Sequence, residues 1–418
     1  MAVCGRCTSL LISVHARVRH FIARLLDRVY RFVNEPTSNI ELIQLATGTG
    51  GNTMNERREI LPLTGIRALA AWLVVVLHLG EQFPAWIASP LHRTLHFGSN
   101  GVDLFFTLSG IIIAYTYGAQ LASFSAQAYR NFLVKRVARL YPASVVALAL
   151  LGVFGASLVV TGRNPDFFTQ NTPLQLLGHL TLTSNWSLQV IPYTWNVPAW
   201  SISMEWLAYL LFPLLWRGVL RLGQTGLVLL VAALMLAMCL LVTTTTLNDG
   251  VIRVLSEFTV GMCLFRLSTL GAFAAAPLPF IGGLCLVLFV ALGVWLGWHS
   301  DQVRLVVPLL VPVLYALLLQ RGALARFCAL PFVAYWGRVS YSLYITHFVA
   351  LAVFRLAFNL AGSDPLRLMA ATLLQLGLIV VLAVATYRLV EEPGRLWLGA
   401  ALKRVFTLPV KVKDRRPL

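Results

Sequence analysis

ILPLTGIRALAAWLVVVLHLG, residues 60–80, and GVDLFFTLSGIIIAYTY, residues 101–117, decide how this chain is read. Both are long and apolar enough to cross a bilayer as helices, yet they carry ionisable residues that lipid cannot solvate. In the first, Arg67 and His78 stand eleven positions apart, about 20° past three full helical turns. Both side chains therefore leave one face, about 16 Å apart along the axis. Such a face should line protein or a water-filled cavity. Asp103 opens the second segment, and packing of the two helices as neighbours would bring it toward His78. A histidine beside a carboxylate has the makings of a general base.

The whole chain extends that reading. Its 418 residues are 58% hydrophobic and 12% charged, against about a quarter charged in soluble domains. An all-α, polytopic membrane bundle of about ten transmembrane helices is predicted, near 61–82, 100–118, 140–161, 199–216, 226–246, 251–268, 279–298, 304–320, 331–358 and 367–388. The net charge of +17 does not point to nucleic acid, because it is distributed by side. With the N-terminal region inside, the inner segments hold 25 Lys and Arg, and the outer connections hold five: Arg93, Arg163, Arg253, Arg304 and Arg367. That asymmetry puts both termini in the cytoplasm and leaves basic segments to meet anionic lipid.

Residues 1–59 read as an N-terminal extension. Val14, Val18, Phe21, Leu25, Val29 and Phe32 form an apolar stripe flanked by arginines, the pattern of a helix lying in the membrane interface, followed by a Gly/Thr-rich linker in which Met54 offers a second start. Cys4-x-x-Cys7 followed by His15 and His20 has the wrong spacing for a zinc finger, so no metal is expected. Residues 60–395 form the membrane domain and 396–418 a basic tail. Within the domain, Arg136 and Arg139 sit one turn apart ahead of the third span, where paired guanidiniums set topology or clamp phosphate. Glu205 lies one turn past Ser201 in the fourth span, costly there unless paired or wet. Ser340, Tyr344 and His347 share a face of the ninth, as interhelical hydrogen bonders or as site residues. The connection 162–198, with Trp186 and Trp195 among Asn and Thr, is either an interfacial belt or a platform for a sugar. Spans five to eight read as scaffold, and Pro393 is expected to stop the last helix.

Six of these stretches resemble, in order, the acyltransferase 3 family of membrane O-acyltransferases: Arg67-x10-His78, GVDLFFTLSG, Arg136-x2-Arg139 before Tyr-Pro, WSISMEWLAYLLFP, GRVSYSLYITHF and the closing Glu392-Pro393. The sequence departs from the family's pattern at MEW, where two acidic residues are common, and in its first 53 residues. The resemblance implies an enzyme of the bacterial inner membrane that moves an acyl group, most often acetyl, from cytoplasmic acyl-CoA to a hydroxyl of a glycan or lipid-linked saccharide, with acyl-CoA as co-substrate and no bound cofactor. It implies His78 as general base with Asp103 or Glu205 orienting it, and Arg67, Arg136 and Arg139 as donor-binding. Ser109, Ser340, Tyr344 and His347 would support the site, Ser109 or His78 being conceivable acyl carriers. The rival expectation is a transporter with a buried Arg, His, Asp and Glu pathway, which would favour interrupted spans in two matching halves.

Overall fold

The computed structural model describes residues 59–186, 195–244, 249–300 and 302–407, and among them all regular structure is helical. The stripe at 8–33, the Cys4/Cys7 and His15/His20 pairs and the end of the basic tail lie outside the described residues. The first helix, α1, is Leu61–Gly80, followed by α2, Ala85–Leu95, and a 3-10 turn, His96–Asn100, that leads into α3, Gly101–Tyr117. Then come α4, Ala126–Val160, the short α5, Phe167–Gln170, and α6, Pro173–Leu180. Helices α7, Ala199–Leu220, α8, Gln224–Thr244, α9, Asp249–Thr269, and α10, Leu278–His299, form the middle of the chain. A 3-10 segment, Val303–Leu309, precedes α11, Leu310–Leu318, and α12, Ala323–Cys328; α13, Pro331–Ala361, and α14, Pro365–Thr386, follow. A π-helical turn, Tyr387–Glu391, joins α14 to α15, Glu392–Thr407.

Among the described residues, six helical stretches are long and apolar enough to cross a membrane: Leu61–Gly80, Ser89–Tyr117, Ala126–Val160, Gln224–Leu241, Leu278–His299 and Pro365–Leu402. Helices α7, α9 and α13 match them in length but carry polar residues such as Glu205, Glu257 and His347, so hydropathy alone does not mark them. The predicted span at 304–320 is broken by Pro308, which has no N–H to give a helix, and resolves into the 3-10 segment and α11. At the chain's other end the expected stop at Pro393 is overturned. Proline at the start of α15 follows a widened π turn, where its missing donor costs little, and the helix runs on to Thr407.

The packing puts the unusual residues inside. Helix α1 lies against α13 and α3, α3 against α9, and α13 against α14, while α7 packs on α9 and α15 on α4. The α3–α9 crossing is close because it is made of glycine: a Cβ on Gly110 would collide with the carbonyl of Phe258, and one on Gly261 with that of Thr107. Small residues at that crossing bring Asp103 of α3 up to Arg253 of α9. Helix α4, at 35 residues, is about 52 Å long and exceeds a bilayer's hydrocarbon core of about 30 Å. Its first 14 residues carry Arg130, Lys135, Arg136 and Arg139, so the basic cluster belongs to a continuous helix, not to a loop.

Candidate active site

A cavity inside the bundle is lined by Arg67 of α1, Ser109 of α3, Arg136 and Arg139 of α4, Ser201, Glu205 and Tyr209 of α7, and Ser340, Tyr341 and Tyr344 of α13. Residues from five separate stretches of the chain thus converge. The lining carries three guanidiniums against one carboxylate, Glu205. Arg139 is ion-paired with the fully buried Glu391, so even with that charge counted one cation is in excess. In a low-dielectric interior such an excess favours an anion strongly.

Each arginine is held differently. Arg136 donates to the Tyr117 hydroxyl at 2.8 Å and lies over the rings of Tyr117 and Tyr209, 5.0 and 5.8 Å from their centroids. Its Nε is buried without a partner. Arg139 sits over Tyr341 at 5.5 Å, and its partner Glu391 also accepts from Ser342 at 2.6 Å. Arg67 makes no hydrogen bond or ion pair among the described residues, although of the opposing charges Glu205 acts on it most strongly. Glu205 accepts two hydroxyls on one oxygen, Ser109 at 2.6 Å and Tyr209 at 2.5 Å. Higher on α7, Ser201 meets the Tyr344 hydroxyl at 2.9 Å, while Ser340 turns back to the Gly337 carbonyl at 2.8 Å.

His78 stands outside this cavity lining. Its Nδ1 donates to the Val74 carbonyl at 2.9 Å, and its ring lies 5.3 Å from that of His347, which in turn is 6.0 Å from Tyr344 on the cavity wall. The single face read from the Arg67–His78 spacing is therefore shared by two stations, a cationic cavity at one end and a histidine pair at the other. The carboxylates expected to orient His78 are engaged elsewhere. Asp103, fully buried, accepts from Arg253 Nε at 2.8 Å and Nη2 at 2.9 Å, and Glu205 is held by Ser109 and Tyr209. Arg253 lies over Trp200 at 5.1 Å, with Asp249 near it and Arg304 bound to Asp249 at 2.9 Å. The buried Glu257 carboxyl lies against Asp103.

Two of the five arginines counted as outer topology markers, Arg253 and Arg304, thus serve buried and half-buried carboxylates, and α9 is more than scaffold. Tyr209, Tyr341, Arg253, Glu257 and Glu391 were not singled out from sequence. Tyr209 could have been, since Glu205-x3-Tyr209 places both on one helix face. The indole N–H groups of Trp186 and Trp195 donate to the Ser203 and Thr172 carbonyls at 2.9 and 3.2 Å, tying the 162–198 connection to itself and to α7. No group of three or more His, Cys, Asp or Glu among the described residues is placed to hold a metal.

Apolar helices of membrane-crossing length around a cationic cavity define an integral-membrane protein. The acyltransferase domain of the acyltransferase 3 family matches residues 61–388, and the chain belongs to that family. A Rhizobium radiobacter protein named "Protein 2 in picA locus" is 34% identical over 189 residues, covering 42% of this chain and 91% of that protein. The acyltransferase MdmB of Streptomyces mycarofaciens is 30% identical over 161 residues, 38% of this chain and 39% of its own length. A Staphylococcus aureus (strain COL) protein with O-acetyltransferase in its name is 22% identical over 379 residues, which cover 83% of this chain and 59% of that one. No solved structure matches the chain.

Proposed function

We propose that this acyltransferase moves an acyl group, acetyl in the first instance, from acyl-CoA to a hydroxyl of a glycan or related saccharide at the bacterial inner membrane. The observation that carries the proposal is the convergence of Arg67, Arg136 and Arg139 on one cavity whose far wall, at Tyr344, leads to the His78–His347 pair. Guanidiniums suit the phosphates of coenzyme A, and Arg67 and the Nε of Arg136 have donors to give. The distance of about 16 Å along α1 from Arg67 to His78 is one that a pantetheine arm bridges, which sets the thioester beside the histidines while the phosphates stay on the arginines.

His78 is then the base. Because a carbonyl can only accept, the Nδ1 bond to Val74 fixes the proton of the neutral ring on Nδ1 and leaves the Nε2 lone pair for an incoming hydroxyl. The hydroxyl oxygen attacks the thioester carbonyl as its proton passes to Nε2; the C–S bond breaks, and the coenzyme A thiolate leaves and takes a proton back from the imidazolium. With both termini in the cytoplasm, as the basic residues imply, the arginines face the cytoplasmic donor and the histidines face outward.

The donor end is tested by Arg136→Ala. An arginine that grips phosphate does so equally before and during transfer, so the variant raises KM for acetyl-CoA with kcat nearly unchanged. A lost charge-assisted contact of about 1.5–3 kcal/mol makes that rise about one to two decades. Arg136→Lys recovers part of it, keeping the charge without the fork. Arg139→Ala also strips Glu391 of its partner and lowers the amount of inserted protein. An Arg136→Ala enzyme with unchanged KM, or one whose only defect is failed insertion, would show that the cluster merely sets topology.

A further inference from the structure

His347 is a buried, chemically competent group to which the reaction as drawn gives no work. It is completely buried in α13, its Nδ1 donates to the Tyr344 carbonyl at 2.7 Å, and its Nε2 has no partner. A buried ring nitrogen left unsatisfied is costly, and native proteins rarely keep one without a use. As at His78, a backbone carbonyl on Nδ1 leaves Nε2 as a lone pair. Two rings 5.3 Å apart therefore both present lone pairs and, while neutral, have no proton to give each other.

Their relative placement is built in. Gln82, one turn beyond His78, donates to the carbonyl of Leu351, one turn beyond His347, at 2.7 Å, and receives a bond from the buried Gln375 of α14 at 2.6 Å. The end of α1 is thus tied to the middle of α13 and of α14 just past the rings. Titratable groups on the neighbouring elements have partners of their own. Asp103 of α3 is committed to Arg253, Tyr344 of α13 to Ser201, and Asp364 and Arg367 of α14 to each other. On α2, His92 lies 4.8 Å from the ring of His96 in the following turn, and Arg93 lies over Trp298.

We propose that His347 is the positioning residue of the base. When His78 takes the proton of the acceptor hydroxyl on Nε2, the resulting N–H is shared with the lone pair of His347 Nε2, while Nδ1–H, the position at which other general-base histidines meet a carboxylate, stays on the Val74 carbonyl. The proton then returns through His78 to the departing coenzyme A thiolate, and the pair is neutral again. This rests on the acyl-transfer reading with His78 as base.

The test is a double-mutant cycle on the inserted full-length protein, with turnover of acetyl-CoA as readout. His347→Phe, which keeps a ring and removes the lone pair, lowers kcat by roughly tenfold to a hundredfold, a share of the roughly 10² to 10⁴ a positioned base supplies, with KM for acetyl-CoA unchanged. His347→Gln, whose amide oxygen can accept a hydrogen bond, recovers part of the loss. In a His78→Ala background the same His347→Phe change has no further effect. A folded His347→Phe with wild-type kcat overturns the proposal, as does a double mutant whose losses multiply. Should His347→Phe fail to insert, His347→Gln takes its place in the cycle, and multiplying losses again overturn the proposal. Full activity in His78→Ala alone would instead overturn the reading of His78 as base.

Discussion

His78→Ala lowers kcat for acyl transfer by roughly 10² to 10⁴ and leaves KM for acetyl-CoA close to that of the wild type. The split follows from where the structure puts the residue. His78 is absent from the cavity that holds the arginines, so its removal takes nothing from phosphate binding. What is lost is a lone pair that acts only as the hydroxyl loses its proton, and such an interaction belongs to the transition state alone. The partly buried ring contributes one backbone hydrogen bond to its own helix, so protein level stays normal. Steady-state kinetics on purified variant and wild type, at matched amounts of folded protein, decide the matter. Wild-type turnover in His78→Ala removes the histidine from the chemistry.

Arg253→Ala is expected to be the most damaging single change to the fold. Asp103 is fully buried and Arg253 2% exposed, and the guanidinium spans both carboxylate oxygens. Breaking such a pair from one side costs about 3–5 kcal/mol, because the carboxylate is left charged or must bind a proton in a site shaped for an ion pair. Little of a marginal folding free energy survives that loss. Membrane abundance and the melting temperature in detergent should both fall sharply. Removing both charges is a different experiment: Asp103→Asn with Arg253→Met leaves no orphan ion and should restore most of the abundance. An Arg253→Ala protein as stable as wild type would mean that water already reaches this pair.

What the sequence made legible follows from short-range geometry. Arg67 with His78, Arg136 with Arg139, and Ser340 with Tyr344 and His347 are spaced by whole helical turns, so their shared faces can be read without knowing the fold. The spacing also gave the distance between the two stations. It could not show that the cationic cavity and the histidines would be different places, because that depends on which helices close around each end of α1. Asp103 and Arg253 lie 150 residues apart, and nothing local pairs them. Asp103 opening a helix near His78 pointed to the histidine, while the glycine crossing of α3 on α9 delivered an arginine instead. Glu391 was hidden for another reason. In the Glu391-Glu392-Pro393 run the proline drew attention to Glu392, but the π turn directs Glu391 inward to Arg139 and leaves Glu392 to the Tyr387 hydroxyl at 2.8 Å. A one-residue widening of a helix changes which face a side chain takes, and no periodicity rule anticipates it.

Acyl is expected to leave coenzyme A and end as an ester on a hydroxyl in a step that needs His78. Membranes from a host lacking its own copy, supplied with wild-type or His78→Ala protein and with [14C]acetyl-CoA, test it in one measurement of alkali-labile radioactivity in the glycan and glycolipid fractions. Labelled ester is expected with the wild type and almost none with His78→Ala at equal protein level. Label no higher than in membranes without the protein, or equal label with both forms, would contradict it.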